Sequence, residues 1–146
     1  MSSGQPSHDQ GVLDTSTVIL LAQLEDPAVL PAEPMITAVT LAELSVGPLV
    51  ADDEEERAAR QAQVQQAEAD FDPLPFDAAA ARAFGGVAAS LRRAGRATTA
   101  ARANDAMIAA TAIANDLPVY TCNPVDFAGI DDLQIVEVPL PTPRPD

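Results

Sequence analysis

The sequence contains no lysine, one cysteine, one histidine and few aromatic residues, and these shortages disfavour several classes of protein. A Walker phosphate loop needs a lysine, and receiver and haloacid-dehalogenase-like phosphotransfer domains normally use one, so these acid-rich folds are disfavoured. Cys122 alone cannot form an internal disulfide, and with His8 as the sole histidine the usual Cys/His zinc site is disfavoured as well. Oxygen ligands are the remaining metal chemistry.

The length and composition fit one globular domain. A chain of 146 residues buries roughly two-thirds of its unfolded surface in a single core. Apolar residues make up 47% of the chain but aromatic residues only 3%, which favours closely packed helices against a small sheet. No stretch approaches the roughly 18 apolar residues of a membrane span, and residues 1–10 lack a signal-peptide core. We therefore expect a cytoplasmic protein with no membrane association.

The net charge of -14 argues against a protein that holds nucleic acid on a broad basic surface. It does not argue against a nuclease. Such an enzyme can draw in its substrate through bound divalent cations and a local group of arginines, with the excess acid elsewhere on the surface.

Short apolar strands alternate with helical segments, a pattern that predicts an α/β fold with a mostly parallel sheet of four to five strands and helices on both faces. Residues 11–138 form the expected domain, between a disordered tail at 1–10 and a proline-rich tail at 139–146. The expected strands are 11–14, 34–37, 117–122 and 133–138, with 71–76 at best an edge strand because of its prolines. The expected helices are 18–24, 38–46, 51–70, 77–84, 87–94 and 102–113, and Gly85-Gly86 is expected to bend or interrupt the chain between two of them.

The segment 102–113 is the stretch around which the chain is organised. It reads as a helix of small and apolar residues with one carboxylate, Asp105, near its start. Ile108, Ala109 and Ala112 lie three, four and seven positions later, so they share the face of Asp105. Burying an ionised carboxylate costs roughly several kcal/mol unless a cation or hydrogen-bond donors compensate for it. Asp105 therefore needs a partner of this kind.

Three further acids are expected at the same edge of the sheet. Asp14 ends the first strand, Glu43 lies on the helix after the second, and Asp126 lies in the turn after the third. Taken alone, Asp14 is equally well explained as a helix N-cap, and Glu43 is better explained as an edge-of-core residue with its head in solvent. Four converging carboxylates repel one another unless cations lie between them, and Mg²⁺ or Mn²⁺ prefers such ligands. The set therefore indicates metal-assisted phosphodiester hydrolysis.

The segment 91–96 holds three arginines in five residues, the densest basic group in the chain. Arg92, Arg93 and Arg96 either bind phosphates or only keep a surface soluble, and the sequence favours neither.

Four stretches of the sequence resemble the PIN domains, and among them the VapC-type ribonuclease toxins of bacterial toxin–antitoxin modules. These stretches come in the family's order and spacing, and with the arginine-bearing helix they span about residues 11–138. They are VLDTS at 12–16, ITAVTLAEL at 36–44, NDAMIAAT at 104–111 and TCNPVDF at 121–127.

The resemblance implies a three-layer α/β/α sandwich and a Mg²⁺- or Mn²⁺-dependent endoribonuclease. It implies one or two metal ions per site, inhibition by a cognate VapB-type antitoxin, and homodimers. Asp14, Glu43 and Asp105 match the core metal-binding acids, and Asp126 matches the fourth acid of many toxin members. Some PIN domains have an aspartate where this chain has Asn123, so the fourth contact is Asp126 or Asn123, with Asp126 preferred.

The implied mechanism uses a metal-bound water as the nucleophile, since no side chain other than the acids suits general base work. Thr15 or Ser16 would hydrogen-bond a metal-bound water or hold Asp14, or would serve only as a helix cap. Arg102 is a phosphate contact or a counter-charge for the acids. Two rival hypotheses are a catalytically inert PIN-like interaction module and a DNA-directed nuclease of related fold.

Overall fold

The computed structural model describes residues 9–24, 26–96 and 99–141, with only the backbone of Ala101. His8 lies outside these residues, as do most of the expected N-terminal tail and the last five residues of the C-terminal tail. The first strand includes Gln10, and the carbonyl oxygen of Asp9 accepts a hydrogen bond from the N–H of Glu33 at 2.7 Å. The ordered sheet therefore begins just inside the segment expected to be a tail.

Among the described residues, four parallel strands form one sheet, as predicted. They are β1 (Gln10–Leu13), β2 (Glu33–Met35), β3 (Val119–Thr121) and β4 (Ile135–Glu137), in the spatial order β2-β1-β3-β4. Val12 of β1 pairs with Met35 of β2 and with Val119 of β3. Because the order reverses direction at β1, the carboxyl ends of β1 and β3 flank the crevice in which open α/β sheets bind ligands.

The segment expected as an edge strand at 71–76 contributes one bridge beside β2. The N–H of Leu74 donates to the carbonyl oxygen of Ile36 at 2.9 Å, and the N–H of Ala38 donates to that of Leu74 at 2.8 Å. Pro73 and Pro75 on either side have no N–H to donate, so the pairing does not extend.

In the described part of the chain, five α-helices surround the sheet, each with an aspartate or threonine N-cap whose side chain accepts a backbone N–H. They are α1 (Thr15–Leu20), α2 (Ala38–Val46), α3 (Glu54–Asp70), α4 (Ala78–Arg93) and α5 (Ala100–Ala114). The helix expected at 18–24 begins earlier, at Thr15, because Asp14 is its N-cap and the Asp14 side chain accepts the N–H of Thr17. Within the described ranges, no helix is both long and apolar enough to cross a membrane.

The expected interruption at Gly85-Gly86 is wrong, since α4 runs through both residues without a break. Both glycines are exposed, and a Cβ built on either one meets no heavy atom within 4 Å. Two glycines weaken a helix by about 1 kcal/mol each relative to alanine, which the burial of Val87 and Leu91 on the inner face of α4 offsets.

The sheet separates two apolar cores, which gives the three-layer arrangement. Val12 and Val119 face the core formed with α4 and α5, whereas their neighbours Leu13 and Tyr120 face the core formed with α1, α2 and α3. Successive strand residues point to opposite faces, so each central strand supplies both cores. Ile108, Ala109 and Ala112 of α5 are fully buried in the first core, as their spacing predicted.

Alanine substitutions at three glycines test the fold, because they are expected to change the free energy of unfolding in opposite directions. Gly85→Ala and Gly86→Ala should each raise the free energy of unfolding by about 0.5–1 kcal/mol, because alanine is the better helix former and the added methyl meets empty space. Gly11→Ala should lower it, because the new Cβ would lie 2.6 Å from Cε1 of Tyr120. Urea unfolding of the three variants measures these changes, and destabilisation by Gly85→Ala would contradict the unbroken helix.

Candidate active site at the carboxyl edge of the sheet

The four candidate acids come from four different elements and meet at the carboxyl edge of the sheet. Asp14 follows β1, Glu43 is on α2, Asp105 is on α5, and Asp126 lies in a 3-10 turn at Pro124–Phe127 that follows β3. The charges of the other three all act on the carboxyl group of Asp105. The structure therefore brings together the four carboxylates that the sequence singled out.

Asp14 is buried, with 3% of its surface exposed, and its carboxylate accepts four hydrogen bonds. One oxygen accepts from the N–H and the hydroxyl of Thr17 at 3.1 and 2.5 Å. The other accepts from the hydroxyls of Ser16 at 3.2 Å and Thr121 at 2.7 Å. These donors compensate for the burial of its charge, so Asp14 is both the helix cap and a fixed member of the acid group.

Glu43 is partly buried and is held by side chains from α1 and α5. The hydroxyl of Thr15 donates to its Oε1 at 2.5 Å, and Nδ2 of Asn104 donates to its Oε2 at 3.1 Å. The hydroxyl oxygens of Thr15 and the fully buried Thr40 lie 3.0 Å apart. Since the proton of Thr15 is directed at Glu43, Thr40 is the donor of this pair.

Asp105 is partly exposed, and its surroundings disfavour its ionised form. Its burial and then the charges of Asp126, Glu43 and Asp14, in that order, together raise its pKa from the usual 3.8 to about 6. Its carboxylate accepts no hydrogen bond within the described residues. Repulsion from the other three carboxylates therefore adds to the cost of ionising Asp105.

Asp126 and Asn123 both lie on the turn after β3, and both are exposed. Phe127, which is fully buried, anchors the turn in the core beside α5. The N–H of Asn123 donates to the hydroxyl of Thr121 at 2.9 Å, so its backbone is tied to the strand end. Of the two side chains, only the carboxylate of Asp126 adds to the charge that acts on Asp105.

The donor set suits a hard divalent cation. In the part of the chain that the structure describes, none of the four carboxylates forms an ion pair with an arginine. Their mutual repulsion therefore has no basic side chain to offset it, and oxygen ligands of this kind are those that Mg²⁺ and Mn²⁺ prefer. As the side chains stand, no three histidine, cysteine or acidic side chains among the described residues enclose an ion site.

The four arginines singled out from the sequence have different surroundings. Nη1 of Arg96 donates to the carbonyl oxygens of Val125 and Ala128, and Arg93 pairs with Asp131 at 2.7 Å. The side chains of Arg92 and Arg102 form no hydrogen bond or ion pair with any described residue, so Arg102 is not an ion-pair partner of the acids. The segment 91–96 is thus not one basic cluster.

Four polar residues of the site were given no role in it from the sequence: Thr17, Thr40, Asn104 and Thr121. Thr17 lies three residues after Asp14, which is the spacing of an N-cap partner and was a usable signal. Asn104 gave a weaker signal, because it is a polar residue next to Asp105 in an apolar stretch. Thr121 gave no local signal, because its bond to Asp14 joins residues that are 107 positions apart.

The raised pKa of Asp105 predicts that the free energy of unfolding of the metal-free protein depends on pH. Between about pH 4 and 6 the folded state keeps a proton that the unfolded chain has lost, so stability falls as the pH rises through this window. We expect Asp105→Asn in EDTA to be about 1–2 kcal/mol more stable than the wild type at about pH 7.5, after allowance for solvent screening.

The stabilisation by Asp105→Asn should shrink towards zero at about pH 4, where the wild-type carboxyl is protonated in both the folded and the unfolded state. Urea unfolding of the wild type and the variant at both pH values measures this stabilisation. Asp116→Asn is the matched control, since this exposed aspartate lies just beyond the other end of α5. A gain of equal size at both pH values would mean that charge is not its cause.

Comparison with known proteins gives one family. The PIN domain model matches residues 12–133. Ribonuclease VapC5 of Mycobacterium tuberculosis (strain ATCC 25618 / H37Rv) is 41% identical over 130 residues, which are 88% of this chain and 93% of that protein.

Solved structures show the same fold. The crystal structure of VapBC-5 from Mycobacterium tuberculosis, a member of the VapBC family of toxin-antitoxin systems, matches with a TM-score of 0.77 and 40% identity, covering 89% of this chain and 99% of that one. The fold also matches the crystal structure of VapBC2 from Rickettsia felis bound to a fragment of its promoter DNA. This match has a TM-score of 0.69 and 20% identity, and it covers 88% of this chain and 98% of that one. With four acids at the sheet edge and these similarities along its length, the chain belongs to the PIN-domain family and, within it, to the VapC proteins.

Proposed function

We propose that this chain is an endoribonuclease toxin that hydrolyses RNA phosphodiester bonds with Mg²⁺ or Mn²⁺ and is inhibited by a cognate VapB-type antitoxin. The observation that carries the proposal is the group of four acids around Asp105, which has no basic partner in the described part of the chain. The 41% identity with Ribonuclease VapC5 supports RNA as the substrate. The VapBC-5 complex supports an antitoxin as the inhibitor.

Asp14, Glu43, Asp105 and Asp126 are the residues that would hold one or two metal ions. A divalent ion bound there would offset charge on the phosphoryl oxygens and make an attacking water more acidic. The chain itself supplies orientation. Asp14 and Glu43 are held by hydroxyl and amide donors, so two of the four carboxylates are restrained before any ion binds.

Asp126 is the better candidate than Asn123 for the fourth metal contact. The negative charge of its carboxylate acts on the carboxyl group of Asp105, whereas the amide of Asn123 is neutral and adds no charge there. Thr15 supports Glu43 and Ser16 supports Asp14 through the hydrogen bonds already described. In this proposal neither hydroxyl needs to contact a metal-bound water.

Arg92 and Arg102 are the best candidates for contacts to RNA phosphates, because neither side chain has another partner in the described residues. Arg93 has an exposed ion pair with Asp131, which is worth at most about 1 kcal/mol and can yield to a phosphate. The protein would act in the cytoplasm, where its RNA substrates are.

We also propose that the free chain is a homodimer. Val46, Leu49 and Val50 are large apolar residues that remain exposed near the end of α2, with 83% of the Leu49 surface in contact with solvent. Sedimentation equilibrium of the purified chain, free of antitoxin, should give twice the mass of one chain. A single-chain mass would contradict the dimer.

Cleavage assays with Asp105→Asn test the proposed activity. We expect the wild type to cut RNA in Mn²⁺ or Mg²⁺ and to be inactive in EDTA. The variant should lose about 100-fold or more in rate, because it removes the negative charge of a proposed metal ligand and no hydrogen bond. Asp14→Asn is a poorer test, since it also disturbs the four hydrogen bonds that hold the start of α1.

The matched control for this assay is Asp116→Asn, which makes the same change of charge beyond the far end of α5 and should cut at the wild-type rate. A DNA oligonucleotide of the same sequence should remain intact. Cleavage at the wild-type rate by Asp105→Asn would overturn the assignment of this residue, and a preference for DNA would overturn the substrate.

A further inference from the structure

The end of α4 fixes the backbone position of Arg96. The N–H of Arg96 donates to the carbonyl oxygen of Leu91 at 2.8 Å, and the N–H of Gly95 donates to that of Arg92 at 3.1 Å. Together with a φ of +77° at Gly95, these two bonds form a Schellman motif. The segment 91–96, which the sequence presents as a basic cluster, is therefore a helix-ending motif with Arg96 at a defined place beyond it.

From that place the guanidinium of Arg96 reaches the turn that carries Asp126. Its Nη1 donates to the carbonyl oxygen of Val125 at 2.9 Å and to that of Ala128 at 3.1 Å. These two residues lie on either side of Asp126, one immediately before it and one two positions after it. Hydrogen bonds from a charged donor are stronger than neutral ones, so Arg96 restrains the turn on both sides of the acid.

The turn and the end of α4 also approach closely at Gly129. Gly129 has a φ of +87°, and a Cβ built on it would lie 2.9 Å from Cβ of Ala94 and 3.5 Å from Cδ of Arg96. The contact therefore requires glycine both for its conformation and for space. This close packing is independent of the hydrogen bonds of Arg96 and brings the same two segments together.

We propose that Arg96 is a positioning residue: by bonding the carbonyl oxygens of Val125 and Ala128, it holds the turn so that Asp126 faces Asp105 across the metal site. The inference rests on the proposed function. It separates Arg96 from Arg92, which is exposed and has no partner among the described residues. Asp126 has no side-chain donor of its own in the described structure, so the restraint on it must come through its backbone.

Mn²⁺ binding to the purified chain, followed by calorimetry without RNA, tests this role. Arg96→Gln should raise the Mn²⁺ dissociation constant by about tenfold, in the range found for residues that orient metal ligands. Arg96→Lys, which keeps a charged donor, should recover part of the loss. In an Asp126→Asn background, Arg96→Gln should change the affinity less than about twofold, because the carboxylate that Arg96 positions is already gone.

Arg93→Gln is the matched control, since it removes a neighbouring arginine whose partner is Asp131 and should leave Mn²⁺ affinity unchanged. Hydrogen exchange of the metal-free protein provides a second readout. Arg96→Gln should speed exchange at the amides of Asp126 and Ala128, which close the turn, and leave the amides of α5 protected. If Arg96→Gln does not fold, the same two measurements on Arg96→Lys decide the question.

The outcomes separate this inference from the proposed function. Unchanged Mn²⁺ affinity in Arg96→Gln, or an equal loss in the Asp126→Asn background, would overturn the positioning role while leaving the nuclease intact. Weaker RNA binding in EDTA with normal Mn²⁺ affinity would overturn it too and make Arg96 a phosphate contact. A wild type that neither binds Mn²⁺ nor cuts RNA would overturn both.

Discussion

Repulsion among four carboxylates at one edge of a small sheet is the constraint on which the rest of the site depends. No arginine among the described residues pairs with these acids, and burial together with the other three charges raises the pKa of Asp105 to about 6. Stability elsewhere must therefore exceed what the site loses. The two apolar cores on either side of β1 and β3 supply it, and both meet the strands directly beneath the acids.

The four acids are restrained to different degrees, and the degree follows the element that carries each. Asp14, next to the central strand, accepts four hydrogen bonds, and Glu43 accepts two. Asp105 and Asp126 accept none from described side chains, although α5 fixes the backbone of one and Arg96 restrains the backbone of the other. A site with two restrained and two adaptable carboxylates would suit a cation that keeps part of its water shell. The exchange of metal-bound waters for substrate oxygens would then need only small movements of these side chains.

Most of the fold and the grouping of all four acids could be predicted from the sequence, because Asp14 and Asp126 follow short apolar strands and Glu43 and Asp105 lie on helices with apolar faces, which are local signals. The roles that the sequence did not predict depend on contacts between residues that are distant in the sequence. The roles of Arg93 and Arg96 depend on acceptors in the 125–131 segment, which no local pattern connects with α4. The break expected at Gly85-Gly86 failed because the buried inner face of α4 outweighs two weak helix formers. Asp14 was posed as a cap or a ligand, whereas its geometry allows both.

The distribution of arginines bears on how a chain of net charge -14 approaches a polyanion. Arg57 and Arg60 pair with glutamates on α3, Arg93 pairs with Asp131, and Arg96 bonds the turn. Only Arg82, Arg92 and Arg102 have side chains without a partner in the described residues. So few free arginines can neutralise only few phosphates, and we expect the salt dependence of RNA binding to be correspondingly shallow. A chain of this net charge repels RNA at long range, so the proposed activity depends on short-range contacts at the acid edge and on the cation that the acids would hold.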